Sequence, residues 1–414
     1  MDRKYDLVLF GATGFTGKLT AAYLARRAAE EGLSWAIAGR SKEKLEAVRR
    51  DLARDAPACA SLDLLVADSA DEAALRAVAG STRVVCTTVG PYAKHGGRLV
   101  AACADLGTHC CDITGEVTFM RDMIDRHHAR AVATGARIVH TCGFDSIPSD
   151  LGALMLVDHL RARGKATRRV VTYVGEAKGG LSGGTAASMM NLMADATRDP
   201  EIRRLVTDPY ALLPERDQGR GPPSKDSFAV RFDEDLGAWT GPFLMAVVNT
   251  RVVRRSNALL GFRYGPTFEY AEVASYGAGP KGLARATAIT GGLGAFATLA
   301  AGKLTRAALE RVLPSSGEGP SRQVRDTGYF KIRLLGWAEG DARPGARGFV
   351  AGTSDPGYGE TAKMLGESAL CLAKDPLDTP GGVTTPAASM GQRLITRLRA
   401  AGMRFDVEDA TPSE

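Results

Sequence analysis

Residues 6–18 read DLVLFGATGFTGK, and this stretch decides the fold of the first part of the chain. Apolar residues typical of a buried strand come first, and a helix-forming segment starts at Lys18. Between them, Gly11, Gly14 and Gly17 recur at regular intervals. Glycines in such a loop allow a tight turn, close approach of the backbone to a ligand, and close packing of the helix on the strand. The stretch therefore predicts a phosphate-binding loop in which an anion meets the amino terminus of a helix.

The first 145 residues alternate short apolar runs with helix-like segments, which is the rhythm of repeated strand–helix units and indicates a parallel sheet. The predicted strands are Asp6–Phe10, Ser34–Ala38, Leu62–Val66, Arg83–Val89, Thr108–Asp112 and Arg137–Thr141. Six strands suit an α/β domain with a doubly wound parallel sheet of the Rossmann type.

After Gly143 the runs become longer and alternate polar with apolar residues, as in an antiparallel sheet with one solvated face. Strands are predicted at Arg168–Ala177, Phe268–Ser275, Tyr329–Ala338 and Gly348–Thr353, and Pro209–Gly241 is predicted to be a surface loop. We expect a Rossmann domain over residues 1–145 and an inserted α+β domain, built on a mostly antiparallel sheet, over 146–354. Residues 355–414 are expected to form a C-terminal helical segment that packs back on the first domain, with a short strand-like tail at Met403–Val407.

The composition is that of a globular protein, with 44% hydrophobic and 24% charged residues. The net charge of +6 is not accompanied by a basic run interleaved with aromatic residues, which argues against nucleic acid as a partner. The seven cysteines form no CxxC pair, so we expect no disulfide framework and no metal site. Because the chain begins with a strand-like run rather than an apolar leader, the expected location is the cytoplasm.

The end of the second predicted strand discriminates between NAD(H) and NADP(H). Folds specific for NAD place a carboxylate there, which accepts hydrogen bonds from the ribose 2′-hydroxyl. In this chain the sequence is Ala38-Gly39-Arg40-Ser41, which has no acid to repel a 2′-phosphate. The Arg40 guanidinium can form charge-assisted hydrogen bonds with that phosphate, although an ordinary surface arginine is the alternative. The predicted cofactor is therefore NADP(H).

Residues after the third and fourth strands complete the predicted cofactor site. Asp68 could hydrogen-bond the adenine amino group, but Asp68 or Ser69 could equally cap the next helix. Residues 89–91, Val-Gly-Pro, stand at the carboxyl edge of the sheet, where the nicotinamide half of such a ligand lies. The predicted cofactor-binding residues are Gly11, Ala12, Thr13, Gly14, Phe15, Thr16, Gly17, Gly39, Arg40, Ser41, Asp68, Val89, Gly90 and Pro91.

Two residues are predicted to take part in the chemistry, Tyr92 and Asp145. Tyr92 is the nearest proton donor to the predicted nicotinamide end, and a tyrosine packed at a domain interface is the alternative. Asp145 lies in HTCGFDSIPSD, residues 140–150, at the end of the sixth strand, where it could orient substrate or cofactor. Ser149 or Asp150 of the same motif could instead cap the following helix. The Tyr-xxx-Lys pair of short-chain dehydrogenases is not found in the sequence.

Two further segments have more than one interpretation. The glycine-rich residues 179–185, GGLSGGT, form either a loop that holds a substrate carboxylate or phosphate or a plain strand-to-helix turn. The stretch Ala286–Gly302 carries no charge. It could be a buried packing helix, the wall of an acyl-chain site, or a helix in contact with a membrane. The last alternative would place the protein peripherally on the inner face of the plasma membrane.

As a set, GATGFTG, AGRS, TVGPY, CGFDSIPSD and DPGYGETAKM resemble the saccharopine dehydrogenase-like oxidoreductases, in particular their bacterial branch of trans-acting enoyl reductases. The likeness extends over nearly the whole chain, and the last two motifs are the most specific. The resemblance implies a Rossmann domain split by an inserted domain. It also implies NADPH-dependent reduction of a carbon–carbon double bond in an acyl chain carried by a polyketide synthase or acyl carrier protein, during lipid or glycolipid assembly.

Three functions are open on this basis. The first is reduction of an α,β-unsaturated acyl thioester, in which hydride goes to the β-carbon and Tyr92 or water supplies a proton to the α-carbon. The second is reduction of an imine or carbonyl, closer to saccharopine chemistry. The third is a catalytically silent NADP-binding protein at a lipid surface. The expected partners are a small-molecule or carrier-bound acyl substrate and a second copy of the chain in a homodimer, formed through the inserted domain.

Overall fold

The computed structural model describes residues 3–179, 183–214, 221–222, 226–302, 305 and 319–410. The chain folds into two compact units, divided between Phe144 and Asp145. The first unit comprises Met1–Phe144, Ser316–Gly319 and Gly357–Ala401, and the second comprises Asp145–Ser315, Pro320–Pro356 and Gly402–Glu414.

Strands and helices alternate along the first unit, whereas in the second unit some strands follow one another without a helix between them. In chain order, the strands of the described residues are β1 (Tyr5–Phe10), β2 (Trp35–Gly39), β3 (Asp63–Val66), β4 (Thr82–Thr87), β5 (His109–Asp112), β6 (Arg137–Val139), β7 (Thr167–Lys178), β8 (Arg231–Asp233), β9 (Ala238–Pro242), β10 (Glu269–Ser275), β11 (Tyr329–Ala338), β12 (Ala346–Gly352), β13 (Gly382–Thr384) and β14 (Arg404–Asp409). The α-helices are α1 (Phe15–Glu31), α2 (Lys42–Asp55), α3 (Glu72–Ser81), α4 (Tyr92–His95), α5 (Gly97–Leu106), α6 (Val117–Thr134), α7 (Ile147–Ala162), α8 (Gly183–Arg198), α9 (Pro200–Thr207), α10 (Ala246–Leu259), α11 (Gly279–Ala301), α12 (Arg322–Asp326), α13 (Thr361–Lys374), α14 (Pro386–Ser389) and α15 (Gly391–Ala400).

A seven-stranded parallel sheet forms the centre of the first unit, in the order β13-β6-β5-β4-β1-β2-β3. Strands β1, β2 and β4 are almost wholly buried, as expected where helices cover both faces of a parallel sheet. The succession of strands reverses direction between β1 and β4, and in such sheets a ligand binds at this reversal, outside the carboxyl ends of the strands. The predicted doubly wound α/β fold is confirmed.

The returning C-terminal segment completes this unit. Helix α13 packs closely on α1, because a Cβ at Gly366 would lie only 2.5 Å from the Tyr23 ring. The wholly buried Glu367 of α13 accepts hydrogen bonds from the Tyr23 hydroxyl and from Arg27 Nε, the latter at 3.1 Å. Arg397 of α15 lies 3.4 Å from the same carboxylate. The buried acid is therefore fully paired, as a buried charge must be.

The second unit is built on another seven-stranded sheet, in the order β14-β12-β11-β7-β10-β9-β8. Its pairs are antiparallel except β7 with β10, so the predicted mostly antiparallel sheet is confirmed. Helix α7 lies directly on the sheet, because a Cβ at Gly336 of β11 would be 2.4 Å from Leu156 of that helix. A core cluster of this unit consists of Val171, Tyr173, Val273, Leu335 and Trp337.

Several local predictions need correction. The parallel sheet has a seventh strand, β13, which a three-residue segment contributes and which is too short to give a sequence signal. The tail strand β14 pairs with β12 in the second sheet rather than lying on the first unit, since β12 offers it an edge for hydrogen bonding. Pro209–Gly241, predicted as a loop, contains β8 and most of β9. Residues 180–182 of the second glycine-rich loop lie outside the described residues.

Candidate functional site

The glycine loop between β1 and α1 leaves no space for side chains at two positions. Gly11 has φ +92°, and a Cβ on it would lie 2.7 Å from Val89 Cγ2. A Cβ on Gly17 would lie 2.1 Å from the Gly11 carbonyl oxygen. Gly14 is different, because its φ of −74° is ordinary and a Cβ would be 3.5 Å from its nearest neighbour. Gly11 and Gly17 are thus required by packing, whereas Gly14 leaves an open approach to the backbone.

Helix α1 begins at Phe15, three residues before the predicted start at Lys18. The amides of Thr16 and Gly17 therefore belong to its first turn, where the helix offers no carbonyl partner to an N–H group. Gly14 occupies the N-cap position and, as a glycine, makes no side-chain cap. A helix end of this kind binds a phosphate through its amides and its dipole.

Arg40 stands directly after β2, exposed to solvent. Within the described ranges, no hydrogen bond or ion pair engages its guanidinium. Ser41 caps α2, and its hydroxyl oxygen accepts a hydrogen bond from the Lys44 amide at 3.3 Å, which leaves the hydroxyl proton available to a ligand. This edge of the sheet therefore presents a cation and a hydroxyl where a 2′-phosphate is expected, and a dinucleotide phosphate fits the residues present.

The capping alternative for Asp68 and Ser69 is wrong. Asp71 caps α3, and its carboxylate accepts a hydrogen bond from the Ala74 amide at 3.0 Å. Asp68 is exposed in the turn before that helix, where one carboxylate oxygen accepts from the Ala70 amide at 2.8 Å. Its assignment to the adenine amino group stays a prediction.

Residues 88–91 form the carboxyl edge beside the glycine loop. Strand β4 ends at Thr87, two residues earlier than predicted, but the Thr88 amide still donates to the Phe10 carbonyl at 3.0 Å and extends the sheet. The Thr88 hydroxyl donates to the Gly11 carbonyl at 3.1 Å. The peptide bond from Gly90 to Pro91 is cis. The predicted nicotinamide-edge residues Val89, Gly90 and Pro91 thus lie next to the loop predicted to hold the pyrophosphate.

Tyr92 makes structural contacts within its own unit. It is only 6% exposed, and its hydroxyl donates to the Thr87 carbonyl at 3.2 Å and accepts from the Ile113 amide at 3.4 Å. Burial and the nearby charge of Asp112 raise the pKa of this hydroxyl well above its ordinary value. The geometry favours a packing role over proton donation, and the catalytic assignment of Tyr92 stays a prediction.

Asp112 and His140 form a buried pair that the sequence analysis missed. Asp112 is the last residue of β5, and His140 directly follows the last residue of β6. His140 Nδ1 lies 2.6 Å from Asp112 Oδ2. Among the described residues no hydrogen-bond partner is found for His140 Nε2. The next residue, Thr141, has φ +61°, a strained value for a β-branched residue. The two side chains are 28 positions apart, so only the predicted adjacency of their strands could have suggested the pair.

Asp145 and Ser146 begin the second unit, and α7 starts at Ile147 rather than after Ser149 or Asp150. The capping alternative for those two residues is therefore wrong, because both lie inside the first turn. Ser149 Oγ instead donates to Glu272 at 3.2 Å, and Asp150 accepts a hydrogen bond from Ser256. Asp145 itself is half-buried, and burial raises its pKa to about 7.

Glu272 of β10 is the centre of a buried polar cluster in the second unit. Its carboxylate accepts from Asn249 Nδ2 at 2.8 Å and from the Tyr270 hydroxyl at 3.0 Å, in addition to Ser149. Burial raises the pKa of Glu272 to about 7, the three hydrogen bonds oppose that shift, and the charge of Asp145 adds to it. Two acids of the second unit thus titrate near neutrality, which is typical of functional sites.

Other chemistry is not apparent in the described residues. All seven cysteines are buried and free, so no thiol is presented for nucleophilic attack. Among the described residues, no group of His, Cys, Asp or Glu is arranged to hold a metal ion.

Comparisons with known proteins identify relatives along the whole chain. A saccharopine dehydrogenase NADP-binding domain matches residues 7–139, which confirms NADP(H) as the cofactor. A Mycobacterium tuberculosis protein is 44% identical over 414 residues, covering 97% of each chain. Proteins named trans-acting enoyl reductase from Mycobacterium leprae and Mycobacterium bovis are 42% and 41% identical, also over 97% of each chain.

Among solved structures, the saccharopine dehydrogenase (L-Glu forming) of Saccharomyces cerevisiae aligns with a TM-score of 0.50 and 13% identity. The alignment covers 98% of this chain and 99% of the yeast chain, and at this identity it shows the shared fold. The relatives and the NADP-binding domain show that the chain belongs to the saccharopine dehydrogenase-like family of NADP(H)-dependent oxidoreductases, in the branch of the trans-acting enoyl reductases.

Proposed function

We propose that this oxidoreductase reduces the carbon–carbon double bond of an α,β-unsaturated acyl thioester that a polyketide synthase or acyl carrier protein presents to it. The observation that carries the proposal is identity of 41–42% over 97% of the chain with proteins named trans-acting enoyl reductase. The glycine loop and Arg40 support the cofactor half of the reaction. The lipid or glycolipid pathway is part of the same proposal and rests on the family resemblance.

NADPH, when bound, supplies the hydride that reaches the β-carbon of the acyl chain. The amides at the start of α1 hold the pyrophosphate, and Arg40 pairs with the 2′-phosphate. As the carbon–hydrogen bond forms at the β-carbon, the electron pair of the double bond moves toward the thioester and leaves an enolate. A proton added to the α-carbon completes the reduction.

Asp145 is the proposed source of this proton. A carboxyl group with a pKa of about 7 is partly protonated at neutral pH and can both donate a proton and recover one from solvent. The preceding residue, Phe144, belongs to the first unit, where its amide donates to Thr361 Oγ1 at 3.1 Å. Tyr92, the other sequence-based candidate, has its hydroxyl occupied by two backbone groups.

The test is NADPH oxidation with two substrate sets. One set contains enoyl thioesters on pantetheine and on an isolated carrier domain, and the other contains keto acids with amines. We expect oxidation only with the enoyl thioesters, and we expect mass spectrometry to find one deuterium at the β-carbon when the C4-deuterated cofactor is used. Oxidation only with the keto acid and amine pairs would instead establish imine reduction. Tight NADPH binding without turnover of either set would contradict both activities.

A further inference from the structure

Large hydrophobic side chains of the second unit are exposed on helix α11 and in the chain around β8. In the described residues, eight large hydrophobic side chains are more than a third exposed. Five of them belong to α11 or to the segment that contains and precedes β8. They are Phe228 (70%), Phe232 (46%), Leu283 (38%), Ile289 (47%) and Leu299 (41%). We call this set the α11 face. Isolated exposed apolar residues are normal, but a group of them marks a surface of interaction.

The α11 face is continuous through β9. The ring of Trp239 on β9 contacts Phe232 edge to face, with centroids 5.5 Å apart. Helix α11 lies over the same strand, because a Cβ at its Gly282 would be 3.3 Å from Trp239, and a Cβ at Gly241 would be 2.9 Å from Thr290. The side of α11 that carries Gly282 and Thr290 is therefore packed on its own sheet, and most of the other described residues of the helix are exposed.

Helix α11 is the one helix among the described residues that is long and apolar enough to cross a membrane. Two ordinary explanations for such a helix do not apply. It is not a core helix, since only 11% of its apolar stretch is buried, and it is not a leader, since it begins at Gly279. The packing of Gly282 and Thr290 against β9 also argues against a transmembrane position, because a spanning helix would have to leave that strand.

The charges of α11 favour one kind of partner. Residues 279–301 contain no Asp or Glu, and the helix has two cations near its start, Lys281 and Arg285, both exposed. The exposed acids Glu234 and Asp235 lie in the turn after β8 rather than on the helix. An apolar helical face with basic residues and no acid is complementary to a membrane surface that has negative headgroups.

We propose that the α11 face docks on a lipid bilayer containing anionic lipids, with the helix lying along the surface. Ile289, Leu299 and the two phenylalanines would enter the boundary of the acyl chains. Lys281 and Arg285 would lie at the level of the phosphates. This inference does not depend on the reaction that the enzyme catalyses.

Vesicle flotation with the full chain tests the proposal directly. Wild type should float with vesicles of phosphatidylcholine and phosphatidylglycerol. The double variant Ile289→Asp with Leu299→Asp should lose at least about tenfold in vesicle affinity, because each buried aliphatic side chain contributes about that factor. Val132→Asp, at a side chain also 47% exposed but on α6 of the first unit, is the matched control and should float like wild type.

A second pair tests the charges. Lys281→Glu with Arg285→Glu should weaken binding to the anionic vesicles by roughly tenfold or more, since each cation near such a surface strengthens binding about fivefold, and should leave the low affinity for pure phosphatidylcholine unchanged. Urea unfolding and NADPH affinity, measured for every variant, should stay those of wild type and so verify the folding of both units.

Three results would overturn the proposal. One is a wild-type protein that remains with the soluble fraction at every lipid composition. Another is a double aspartate variant that floats as well as wild type. The third is a wild-type dimer that these aspartates convert to monomer without any effect on vesicles, which would assign the face to a second copy of the chain.

Discussion

The starts of α1 and α7 both lack a side-chain cap but differ in chemistry. Each helix follows a strand of the parallel sheet, and neither N-cap residue, Gly14 or Ser146, makes a side-chain cap. At α1 the proposed functional groups are the backbone amides of the first turn. At α7 they are buried side chains, because Ser149 and Asp150 of its first turn bond to Glu272 and Ser256.

This difference separates two tasks that a reductase has to perform. Holding a pyrophosphate requires fixed dipoles of constant charge, and glycines with backbone amides supply them at any pH. Moving a proton requires a group whose charge changes near the working pH, and burial of carboxyl groups produces one. We therefore expect substitutions at α1 to act on cofactor affinity, and substitutions around α7 to act on pH dependence.

The largest effect is expected for Gly17→Ala. The added Cβ would lie 2.1 Å from the Gly11 carbonyl oxygen, which is backbone and cannot rotate away. We expect a loss of about 3 kcal/mol in the free energy of unfolding, at the upper end of the usual cost of overpacking. Calorimetric titration should detect no NADPH binding in the protein that remains folded.

Gly14→Ala is the matched control, because its Cβ would meet nothing closer than 3.5 Å within the chain. It should unfold like wild type in urea and still bind NADPH more weakly, since the methyl group occupies the approach to the pyrophosphate. Equal stability of the two variants would show that the glycine loop is not constrained by packing.

The next largest effect is expected for Asp145→Asn. If Asp145 supplies the proton, the variant should lose about 100-fold in turnover of an enoyl thioester, within the usual contribution of a general acid. Wild-type turnover should fall as the pH rises through about 7, where this carboxyl loses its proton, and the variant should lack this dependence. Steady-state rates across the pH range measure both effects.

Tyr92→Phe is the control for the alternative donor. Its loss of two backbone hydrogen bonds should cost about 2 kcal/mol in stability and change turnover less than about threefold. A large loss of turnover in Tyr92→Phe, combined with an Asp145→Asn variant that keeps the wild-type pH profile, would reverse the two assignments.

Features formed by consecutive residues could be predicted from the sequence. Features that depend on contacts between residues far apart in the chain could not. The strand, loop and helix from Tyr5 to Glu31 could be predicted because they follow one another directly along the chain. The start of α1 was misplaced because Phe15, Thr16 and Gly17 are poor helix formers that are helical only in this setting. Glu272 could not be found, since its partner Ser149 is 123 positions away and no local pattern joins them.

A smaller effect is expected for Arg40→Ala. Charge-assisted hydrogen bonds to a 2′-phosphate contribute about 2 kcal/mol, so the dissociation constant for NADPH should rise roughly 30-fold. The affinity for NADH should not change, because NADH has no 2′-phosphate. Lys42→Ala, an exposed cation two residues away in α2, should leave both affinities close to those of wild type. Equal losses for the two cofactors in Arg40→Ala would remove Arg40 from this role.

The smallest effect concerns stability and tests the α7 side of the comparison without any substrate. The folded-state pKa of Glu272 is about 7, above its value of 4.5 in an unfolded chain, so the folded protein binds more protons between these two values. The contribution of Glu272 to the free energy of unfolding is complete below about pH 4.5 and is lost as the pH rises through about 7.

Glu272→Gln has no such charge to bury, so from about pH 5 to about pH 8 it should lose less stability than wild type. The expected difference is on the order of 1 kcal/mol once relaxation around the buried charge is allowed for. Urea unfolding at both pH values measures it, and parallel curves for the two proteins would mean that Glu272 is ionised throughout and that the hydrogen bonds from Ser149, Asn249 and Tyr270 outweigh its burial.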